Sequence, residues 1–352
     1  MKLPVNPPIL PMLAKRVSEI PENGDWIFEP KWDGFRALVF RDGKEILIQS
    51  RDEKPLNRYF PELLEPLAKQ LPKRCVLDGE VVLAKDGALD FDALQLRLHP
   101  AESRVKMLAE QMPTSIVFFD LLSEGNRDLR SVAFRDRRKK MEQLLAKAVA
   151  PIHLTPTTSD MTVAKDWFRR FEGAGLDGVV AKPASGAYES NKRVMLKVKH
   201  ERECDCVVAG FRWHKKGERT ALGSLLLGLY DDDGELHHVG VCASFTDKKR
   251  EELVTFLKPY RKNALEDHPW KQWAAHDLRM PGGQSRWSQG KDMSWEPVRP
   301  ELVVEVAYDH MQGSRFRHTA QFRRWRTDKK PVDCTFEQLE VVPPQELSEI
   351  FG

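Results

Sequence analysis

The chain has 352 residues, of which 41% are hydrophobic and 31% are charged, and its formal net charge is +3 at pH 7. At about 150 residues per domain, this length favours two domains with enough apolar side chains for two cores. The sequence contains no apolar run of about 18 residues and no secretory signal, which excludes a membrane-spanning helix and leads us to expect a cytoplasmic protein.

The first 200 residues alternate strand-like and helix-like segments. Apolar strands are predicted at residues 26–30, 35–41, 46–50, 76–83, 116–121, 178–182 and 194–199. Asp42-Gly43 is a hairpin turn signal between the second and third of these strands. Helical periodicity predicts helices over residues 132–150 and 162–172, with Thr162 as the N-cap of the second.

The pattern changes near residue 202, where strands begin to dominate. They are predicted at residues 206–211, 224–230, 236–241, 302–308 and 321–326, with one helix at 247–257. Five strands and one helix suit a small Greek-key barrel such as an OB-fold. We therefore predict an α+β protein with one domain over residues 1–202, built from antiparallel sheets and helices, and an OB-fold barrel over residues 203–352.

Three further features concern partners and metals. Residues 212–219 and 315–330 are rich in lysine and arginine interleaved with aromatic residues, which suits a nucleic-acid backbone, although a solvated basic surface remains an alternative. Residues 260–300 hold four tryptophans and either pack through them or order on a partner. The cysteines lack the close pairs of a zinc site and are interpreted as small reduced thiols in strands: Cys75, Cys204, Cys206, Cys242 and Cys334.

The first candidate chemical signal is the segment Glu29-Pro-Lys31-Trp-Asp33-Gly34-Phe-Arg36. Lys31 ends an apolar strand and precedes a tight Asp-Gly turn. It is either a surface lysine before a hairpin or a nucleophile. A nucleophilic lysine must lose its proton near neutral pH, and nearby cations or a metal ion can depress its pKa.

Three more signals combine charged side chains with apolar strands. Asp78-Gly79-Glu80 interrupts a buried run, which is costly unless the acids are paired or bind a ligand or metal. Asp177 and Lys182 lie at the two ends of another short strand. Lys197 and Lys199 share one face of a strand, so either an anion lies between them or they protect a sheet edge.

Taken in chain order, these segments resemble the motifs of the nucleotidyltransferase superfamily of ATP-dependent DNA ligases, RNA ligases and mRNA capping enzymes. The matching segments are Lys31-Trp-Asp33-Gly34, Ser50-Arg51, Asp78-Gly79-Glu80, Phe119-Asp120, Asp177-Gly178-Val179 and Lys197-Val-Lys199. Arg326-Thr-Asp328-Lys329 is similar to the final motif of the DNA ligases. The greatest likeness is to the short two-domain bacterial ligases often called ligase C, followed by the ligase module of bacterial end-joining enzymes. Asp177 departs from the usual glutamate by one methylene.

The resemblance implies an enzyme of DNA repair that seals nicks in duplex DNA in three phosphoryl-transfer steps. Lys31 would take AMP from ATP, pass it to the 5′-phosphate of the nick, and the 3′-hydroxyl would then displace AMP. It further implies a catalytic group, a nucleotide-binding group and a metal-binding pair. The catalytic group is Lys31, Lys197, Lys199, Arg326, Asp328 and Lys329. The nucleotide-binding group is Glu29, Asp33, Gly34, Arg36, Arg51, Glu80, Phe119 and Lys182. The metal-binding pair is Glu80 and Asp177.

More specific roles follow from the same resemblance. Glu29 would read the adenine amino group and Phe119 would stack on the adenine ring. The ion would be Mg²⁺, with Mn²⁺ as an alternative. Arg326, Asp328 and Lys329 would orient the departing pyrophosphate on a mobile barrel, with a hinge near residues 200–203. We expect a monomer that acts on nicked double-stranded DNA in DNA repair.

Three alternatives remain open on the sequence alone. An RNA ligase or a GTP-using capping enzyme would share most of these motifs, and the final Arg-x-Asp-Lys motif favours DNA. A nucleic-acid-binding scaffold without catalysis is the alternative from another class. The presence of Lys31, Glu80, Lys197 and Lys199 opposes it.

Overall fold

The computed structural model describes residues 1–215, 219–271, 294–339 and Leu347. The chain divides into two compact units, Met1–Lys199 with Val342–Gly352, and His200–Val341. Both units are built around antiparallel pairing, and the first also carries most of the described helices. The predicted α+β class is therefore confirmed. No helix in the described part of the chain is long and apolar enough to cross a membrane.

The first unit contains two main sheets. Its strands are β1 (Leu13–Val17), β2 (Trp26–Pro30), β3 (Phe35–Asp42), β4 (Glu45–Ser50), β5 (Arg74–Val82), β6 (Ala84–Lys85), β7 (Ala88–Leu89), β8 (Ser115–Glu124), β9 (Arg127–Asp128), β10 (Ile152–Leu154), β11 (Gly178–Pro183) and β12 (Arg193–Lys199). One sheet has the order β1-β12-β11-β2 and the other β10-β8-β5-β3-β4, with β9 on β8. Strands β6 and β7 form a separate hairpin.

Five helices belong to the same unit: α1 (Leu64–Gln70), α2 (Phe91–Leu96), α3 (Glu102–Gln111), α4 (Phe134–Leu145) and α5 (Met161–Arg170). Strand β3 shows why they pack where they do. Its adjacent residues Leu38 and Val39 point to opposite faces and belong to two different buried clusters, so both faces of the larger sheet are covered. The Val39 cluster includes Leu67 of α1 and Met141 of α4, whereas the Leu38 cluster includes Met195 of β12. The two sheets are thus stacked face to face.

The second unit is organised on a five-stranded antiparallel sheet. Its strands are β13 (Arg202–Trp213), β14 (Leu222–Tyr230), β15 (Leu236–Cys242), β16 (Glu296–Tyr308), β17 (Met311–Gln312), β18 (Arg315–Phe316) and β19 (Gln321–Trp325), with the helix α6 (Asp247–Leu257). The sheet order is β15-β14-β13-β16-β19, and β17 pairs with β18. Short 3-10 helices complete the described chain at Pro61–Leu63, Phe171–Ala174, Lys258–Arg261, Pro331–Asp333 and Phe336–Gln338.

The helix α5 corrects the predicted cap. Its N-cap is Asp160, whose extended backbone precedes Met161 and whose side chain accepts a hydrogen bond from the backbone N–H of Thr162 at 2.7 Å. Thr162 already lies inside the first turn, so the prediction of Thr162 as the cap was wrong. Both residues are favourable caps, and only the backbone position distinguishes them.

Tryptophan packing is confirmed for part of the segment 260–300. Trp270 is fully buried and donates to the carbonyl of Leu236 at 2.7 Å, and its ring centroid lies 5.8 Å from that of Trp295. Strand β16 begins at Glu296, earlier than predicted. Residues 272–293 lie outside the described residues, as do Trp273 and Trp287.

Candidate active site

A cleft of about 390 Å³ in the first unit brings together many of the predicted site residues. Those lining it are Glu29, Lys31, Arg36, Arg51, Glu80, Phe119, Lys182 and Lys197. Lysines and arginines outnumber carboxylates among the lining residues by eight to two, since Lys15, Arg16 and Arg193 also contribute. Such a wall suits a ligand with several negative charges.

Backbone hydrogen bonds between the ends of strands β2 and β11 bring Lys31 close to Asp177. The backbone N–H of Lys31 donates to the carbonyl of Gly178 at 2.8 Å, and that of Asp177 donates to the carbonyl of Lys31 at 2.9 Å. Gly178 has φ +136°, and a Cβ there would lie 2.0 Å from the carbonyl oxygen of Val198. Glycine is therefore required for β11 to start this close to β12.

Lys31, at the wall of the cleft, shares one carboxylate oxygen of Asp177 with Lys199, and neither Asp177 nor Lys199 is among the residues that line the cleft. Lys31 Nζ and Lys199 Nζ each lie 2.6 Å from Asp177 Oδ2, and the Asp177 side chain is only 5% exposed. Burial would raise the pKa of Asp177, but the two ammonium groups hold it well below its ordinary range. Asp177 is therefore the anion that accounts for the position of Lys199.

The same carboxylate reverses the expectation for Lys31. Burial acts to lower the pKa of Lys31, but Asp177, followed by Asp33 and Glu80, raises it above its ordinary value. Depression of its pKa by neighbouring cations is thus wrong for this arrangement, and depression by a metal ion stays a prediction. Lys197 behaves in the opposite way: burial first, then Lys31 and Lys199, lower its pKa to about 8.

One side of the cleft is made by Glu29, Lys182 and Phe119. Lys182 Nζ lies 2.8 Å from Glu29 Oε2, donates to the carbonyl of Phe119 at 2.8 Å, and lies 4.7 Å from the centroid of the Phe119 ring. Burial raises the pKa of Glu29 even though Lys182 and Arg138 oppose the effect. Within the described residues, the second oxygen of Glu29, Oε1, is buried and accepts no hydrogen bond. It is positioned to accept one from a ligand.

Arg36 is held by Asp78, an acid of the Asp78-Gly79-Glu80 motif, and through it by Tyr188, which no motif singled out. The guanidinium donates to both oxygens of Asp78, with Nε 2.6 Å from Oδ1 and Nη2 2.5 Å from Oδ2. The hydroxyl of Tyr188 donates to Asp78 Oδ2 at 2.6 Å and accepts from the backbone N–H of Met12 at 3.0 Å. Arg36 also lies 4.6 Å from the centroid of the Phe119 ring. Asp78 is fully buried, and its pairing with Arg36 offsets the free-energy cost of burying a carboxylate in an apolar strand.

Glu80 and Arg51 also line the cleft, and Gly34 directly precedes the strand that carries Arg36. Glu80 is paired in register with Arg36 across β3 and β5. Burial raises its pKa to about 7, against the opposing effects of Arg36 and Lys31. A Cβ at Gly34 would lie 2.1 Å from the carbonyl oxygen of Val81, so only glycine fits this approach to β5. Arg51 follows β4 directly and is exposed at the rim.

Strand β1 contributes to the cleft and was not predicted from the sequence. It pairs in parallel with β12 and places Arg16 in register with Lys197. Its sequence, Leu-Ala-Lys-Arg-Val, is short and half polar, and its partner lies about 180 positions away along the chain by their numbers. A local apolar pattern carries no information about such a pairing.

Arg326, Asp328 and Lys329 lie together in the second unit, just after β19. Arg326 Nη1 lies 2.9 Å from Asp205 Oδ2, and its Nη2 lies 2.8 Å from Asp328 Oδ2. Lys329 Nζ lies 3.0 Å from Asp205 Oδ2. These three predicted residues are therefore one cluster, centred on a carboxylate that no sequence motif singled out.

The fold and the cationic cleft define the class: a nucleotidyltransferase followed by an OB-fold unit. Residues 11–199 match the family described as ATP dependent DNA ligase domain, and residues 218–329 match the ATP dependent DNA ligase C terminal region. The chain belongs to the family of ATP-dependent DNA ligases. It uses ATP to seal nicks in duplex DNA through an adenylate intermediate, as the sequence predicted.

Individual relatives agree with this assignment. The chain is 54% identical to DNA ligase C2 of Mycolicibacterium smegmatis over 349 residues, covering 97% of each chain. It is 52% identical to DNA ligase C of Mycobacterium tuberculosis over 358 residues, covering 99% of each. A solved structure from a study of Lig E DNA ligases shares the fold, with a TM-score of 0.56, 16% identity, and coverage of 90% of this chain and all of the other. The predicted likeness to bacterial ligase C is confirmed.

Proposed function

We propose that Lys31 is the nucleophile that carries AMP between ATP and the nick. The observation behind this assignment is the convergence of Lys31 and Lys199 on Asp177 at the wall of a cationic cleft. The amine of Lys31 attacks the α-phosphorus of ATP, an N–P bond forms, and the P–O bond to pyrophosphate breaks. Because the attacking atom must be a free amine, the proton of Lys31 has to leave before or during this step.

The other lysines and arginines of the cleft act on phosphate charge. Phosphoryl transfer needs aligned groups and neutralised oxygens more than an acid or base, so fixed cations supply most of what the reaction requires. Lys197 and Lys199 would contact the α-phosphate beside Lys31. Arg36 and Arg51 would contact the ribose and phosphates, including the 5′-phosphate of the nick.

The adenine would occupy the side of the cleft formed by Glu29, Phe119 and Lys182. Glu29 Oε1 is a buried acceptor that accepts no hydrogen bond within the described residues, and an exocyclic amino group would supply the missing donor. Phe119 offers a ring face for stacking, and Lys182 holds Glu29 in place. Asp33 and Gly34 would shape the turn that follows Lys31.

We assign Glu80 and Asp177 as carboxylates for a divalent ion, with Mg²⁺ expected and Mn²⁺ as the alternative. Among the described residues, no cluster of three or more acidic, histidine or cysteine side chains could hold a metal by itself. Mg²⁺ fits such a site because it commonly takes one or two carboxylates together with substrate phosphates and water. It would supply neutralisation of phosphate charge. A cation would also suit Glu80, which burial brings to a pKa of about 7.

We further propose the functional limits of the two parts: residues 1–202 as the adenylation domain and 203–352 as the OB-fold domain. Arg326, Asp328 and Lys329 would assist the departure of pyrophosphate in the first step. The enzyme would act as a monomer in the cytoplasm, where its ATP and DNA are found, and would serve DNA repair. The basic segment that includes Lys215 would contact the DNA backbone; Lys216 in the same segment lies outside the described residues.

Labelled nucleotide provides the direct test. The protein is incubated with α-labelled ATP or GTP and Mg²⁺, and a nicked DNA duplex or nicked RNA is then added. We expect label from ATP on the wild type, discharged by nicked DNA, and none on Lys31→Ala. The exposed Lys44→Ala is the matched control and should label as wild type. Labelling of Lys31→Ala at the wild-type rate overturns the nucleophile, and discharge only by nicked RNA overturns the substrate.

A further inference from the structure

Two acids face each other across neighbouring strands of the second unit. Asp205 of β13 is in antiparallel register with Glu305 of β16. Like charges directly opposite each other destabilise a strand pair unless a cation lies between them. Here the cation is Arg326, whose Nη1 lies 2.9 Å from Asp205 Oδ2 and 3.4 Å from Glu305 Oε2. Glu305 also binds Arg324 Nη2 at 2.8 Å. Two arginines therefore neutralise the pair of acids, and Arg326 is the one that contacts both.

Asp205 is the better fixed of the two acids. It is 7% exposed, and its backbone is bound on both sides by the Gln338 side chain: Asp205 N–H donates to Gln338 Oε1 at 2.7 Å, and Gln338 Nε2 donates to the Asp205 carbonyl at 3.0 Å. Lys329 Nζ donates to Asp205 Oδ2 at 3.0 Å. One rigid carboxylate thus holds two long cationic side chains.

Asp328 completes the arrangement from the solvent side. Arg326 Nε donates to Asp328 Oδ1 at 2.9 Å and Nη2 donates to Oδ2 at 2.8 Å, so the guanidinium is bound along two edges. Asp328 is largely exposed, whereas Asp205 is buried. Exposed pairs add little to the ordering of a side chain, so Asp205 is the principal restraint on Arg326 and Lys329.

We propose that Asp205 is a positioning residue for the first step of ligation. It holds Arg326 and Lys329 in the arrangement they need when Lys31 takes AMP from ATP. This inference rests on the proposed function of Arg326 and Lys329 in that step. Its physical basis is preorganisation: cations fixed before the reaction stabilise developing charge without the entropic cost of being ordered during it.

The test separates the first step from the last. Self-adenylylation is measured in a single turnover with ATP, and phosphodiester formation is measured on a nick that already carries AMP on its 5′-phosphate. For Asp205→Asn we expect self-adenylylation to slow by about 10- to 100-fold, as for misplacement of a charge-stabilising group, whereas sealing of the adenylylated nick stays within about twofold. Asp205→Glu keeps the charge and should recover part of the lost rate.

Two further variants make the result decisive. Asp309→Asn is the matched control, because Asp309 is a part-buried carboxylate of the same unit that binds His318 instead; it should leave self-adenylylation unchanged. Arg326→Ala shows how far self-adenylylation depends on the motif Arg326-Thr-Asp328-Lys329 itself. If Arg326→Ala slows self-adenylylation and Asp205→Asn does not, the positioning role is wrong. If Asp205→Asn slows both steps equally, its role is only structural. If Arg326→Ala has no effect, the proposed function of the motif itself fails.

Discussion

The ammonium of Lys31 lies 2.6 Å from Asp177 Oδ2, and Lys199 lies at the same distance from the same oxygen. One buried carboxylate therefore stabilises the positive charge of two lysines, one of them the proposed nucleophile. The contact raises the pKa of Lys31 despite its burial. Anything that withdraws Asp177 from Lys31 favours the free amine, and a divalent cation bound by Asp177 would have that effect.

The first prediction concerns the protonation of these lysines without metal or nucleotide. Competitive labelling with acetic anhydride, read by mass spectrometry over a pH series, reports the free-amine fraction of each lysine. Because the pKa of Lys197 is lowered to about 8 and that of Lys31 is raised, Lys197 should reach half-maximal reactivity near pH 8 and Lys31 well above it. In Asp177→Asn the midpoint for Lys31 should move to lower pH, because burial is then opposed only by the weaker effects of Asp33 and Glu80.

Exposed Lys44 serves as the internal standard for this series. The reactivity of Lys31 is expressed relative to that of Lys44 in the wild type and in Asp177→Asn, so that differences in reagent and sample cancel. A Lys31 midpoint that does not move in Asp177→Asn would contradict the assignment of Asp177 as the cause of the raised pKa.

The second prediction concerns the base. If Glu29 Oε1 accepts a hydrogen bond from the adenine amino group, the wild type should prefer ATP over purine riboside triphosphate, which lacks that group. A hydrogen bond to a charged acceptor contributes about 1.5–3 kcal/mol, or roughly 10- to 100-fold in the ratio of kcat/KM for self-adenylylation. Glu29→Ala should abolish most of this preference, because neither nucleotide then finds the acceptor.

Comparison of the two nucleotides separates recognition from a general loss of activity. Glu29→Ala also removes the partner of Lys182 and should be slower with both substrates. A variant with unchanged preference for ATP, whatever its absolute rate, shows that Glu29 does not read the amino group. Lys182→Met is the companion variant: it disturbs the position of Glu29 but leaves the acceptor, so part of the preference should remain.

Most of the long strands could be predicted from sequence because their residues are apolar on one or both faces. The buried run in β5 and the apolar run in β8 are examples. Strand β5 begins two residues before the predicted start and ends one residue before the predicted end, and β8 extends one residue before and three residues after its predicted limits. Strand β1 was missed because its position depends on pairing with β12, far along the chain. The helices α1, α2 and α3 were missed as well, and each is short, with ten residues at most.

The residues of the candidate site also fall into two groups, those recognisable from a local motif and those that depend on a distant partner. Residues within linear motifs, such as Lys31 and Lys197, could be proposed by resemblance, because their spacing along the chain is itself the signal, and both line the cleft. Tyr188 and Asp205 could not, because each acts through a partner that only the fold brings near: Asp78 is 110 positions from Tyr188, and Arg326 is 121 positions from Asp205. A buried acid such as Asp78 signals that a partner exists but does not identify it.

The third prediction concerns stability. Asp120, from the Phe119-Asp120 motif, is buried and receives Arg137 Nε at 2.7 Å and Nη2 at 2.9 Å, and Arg137 is itself fully buried. Arg137→Met leaves Asp120 charged and unpaired, which should cost about 3–5 kcal/mol in the free energy of unfolding. Arg130→Met removes a half-exposed partner of Asp128 and should cost at most about 1 kcal/mol. Urea denaturation followed by circular dichroism compares the two variants, and equal midpoints would contradict the expected difference.

The fourth prediction concerns Tyr188, which links Met12 of the cleft to Asp78 and so to Arg36. Tyr188→Phe removes the donor to Asp78 and leaves the N–H of Met12 without its acceptor, a buried loss of about 1–3 kcal/mol. Arg36 keeps both bonds to Asp78 but loses one restraint on that carboxylate. We expect a higher KM for ATP in self-adenylylation with a smaller change in kcat, because Met12 and Arg36 line the cleft. Tyr59→Phe, outside the cleft lining, is the matched control. If Tyr188→Phe lowers the melting temperature while KM stays at the wild-type value, Tyr188 stabilises the fold without shaping the nucleotide site.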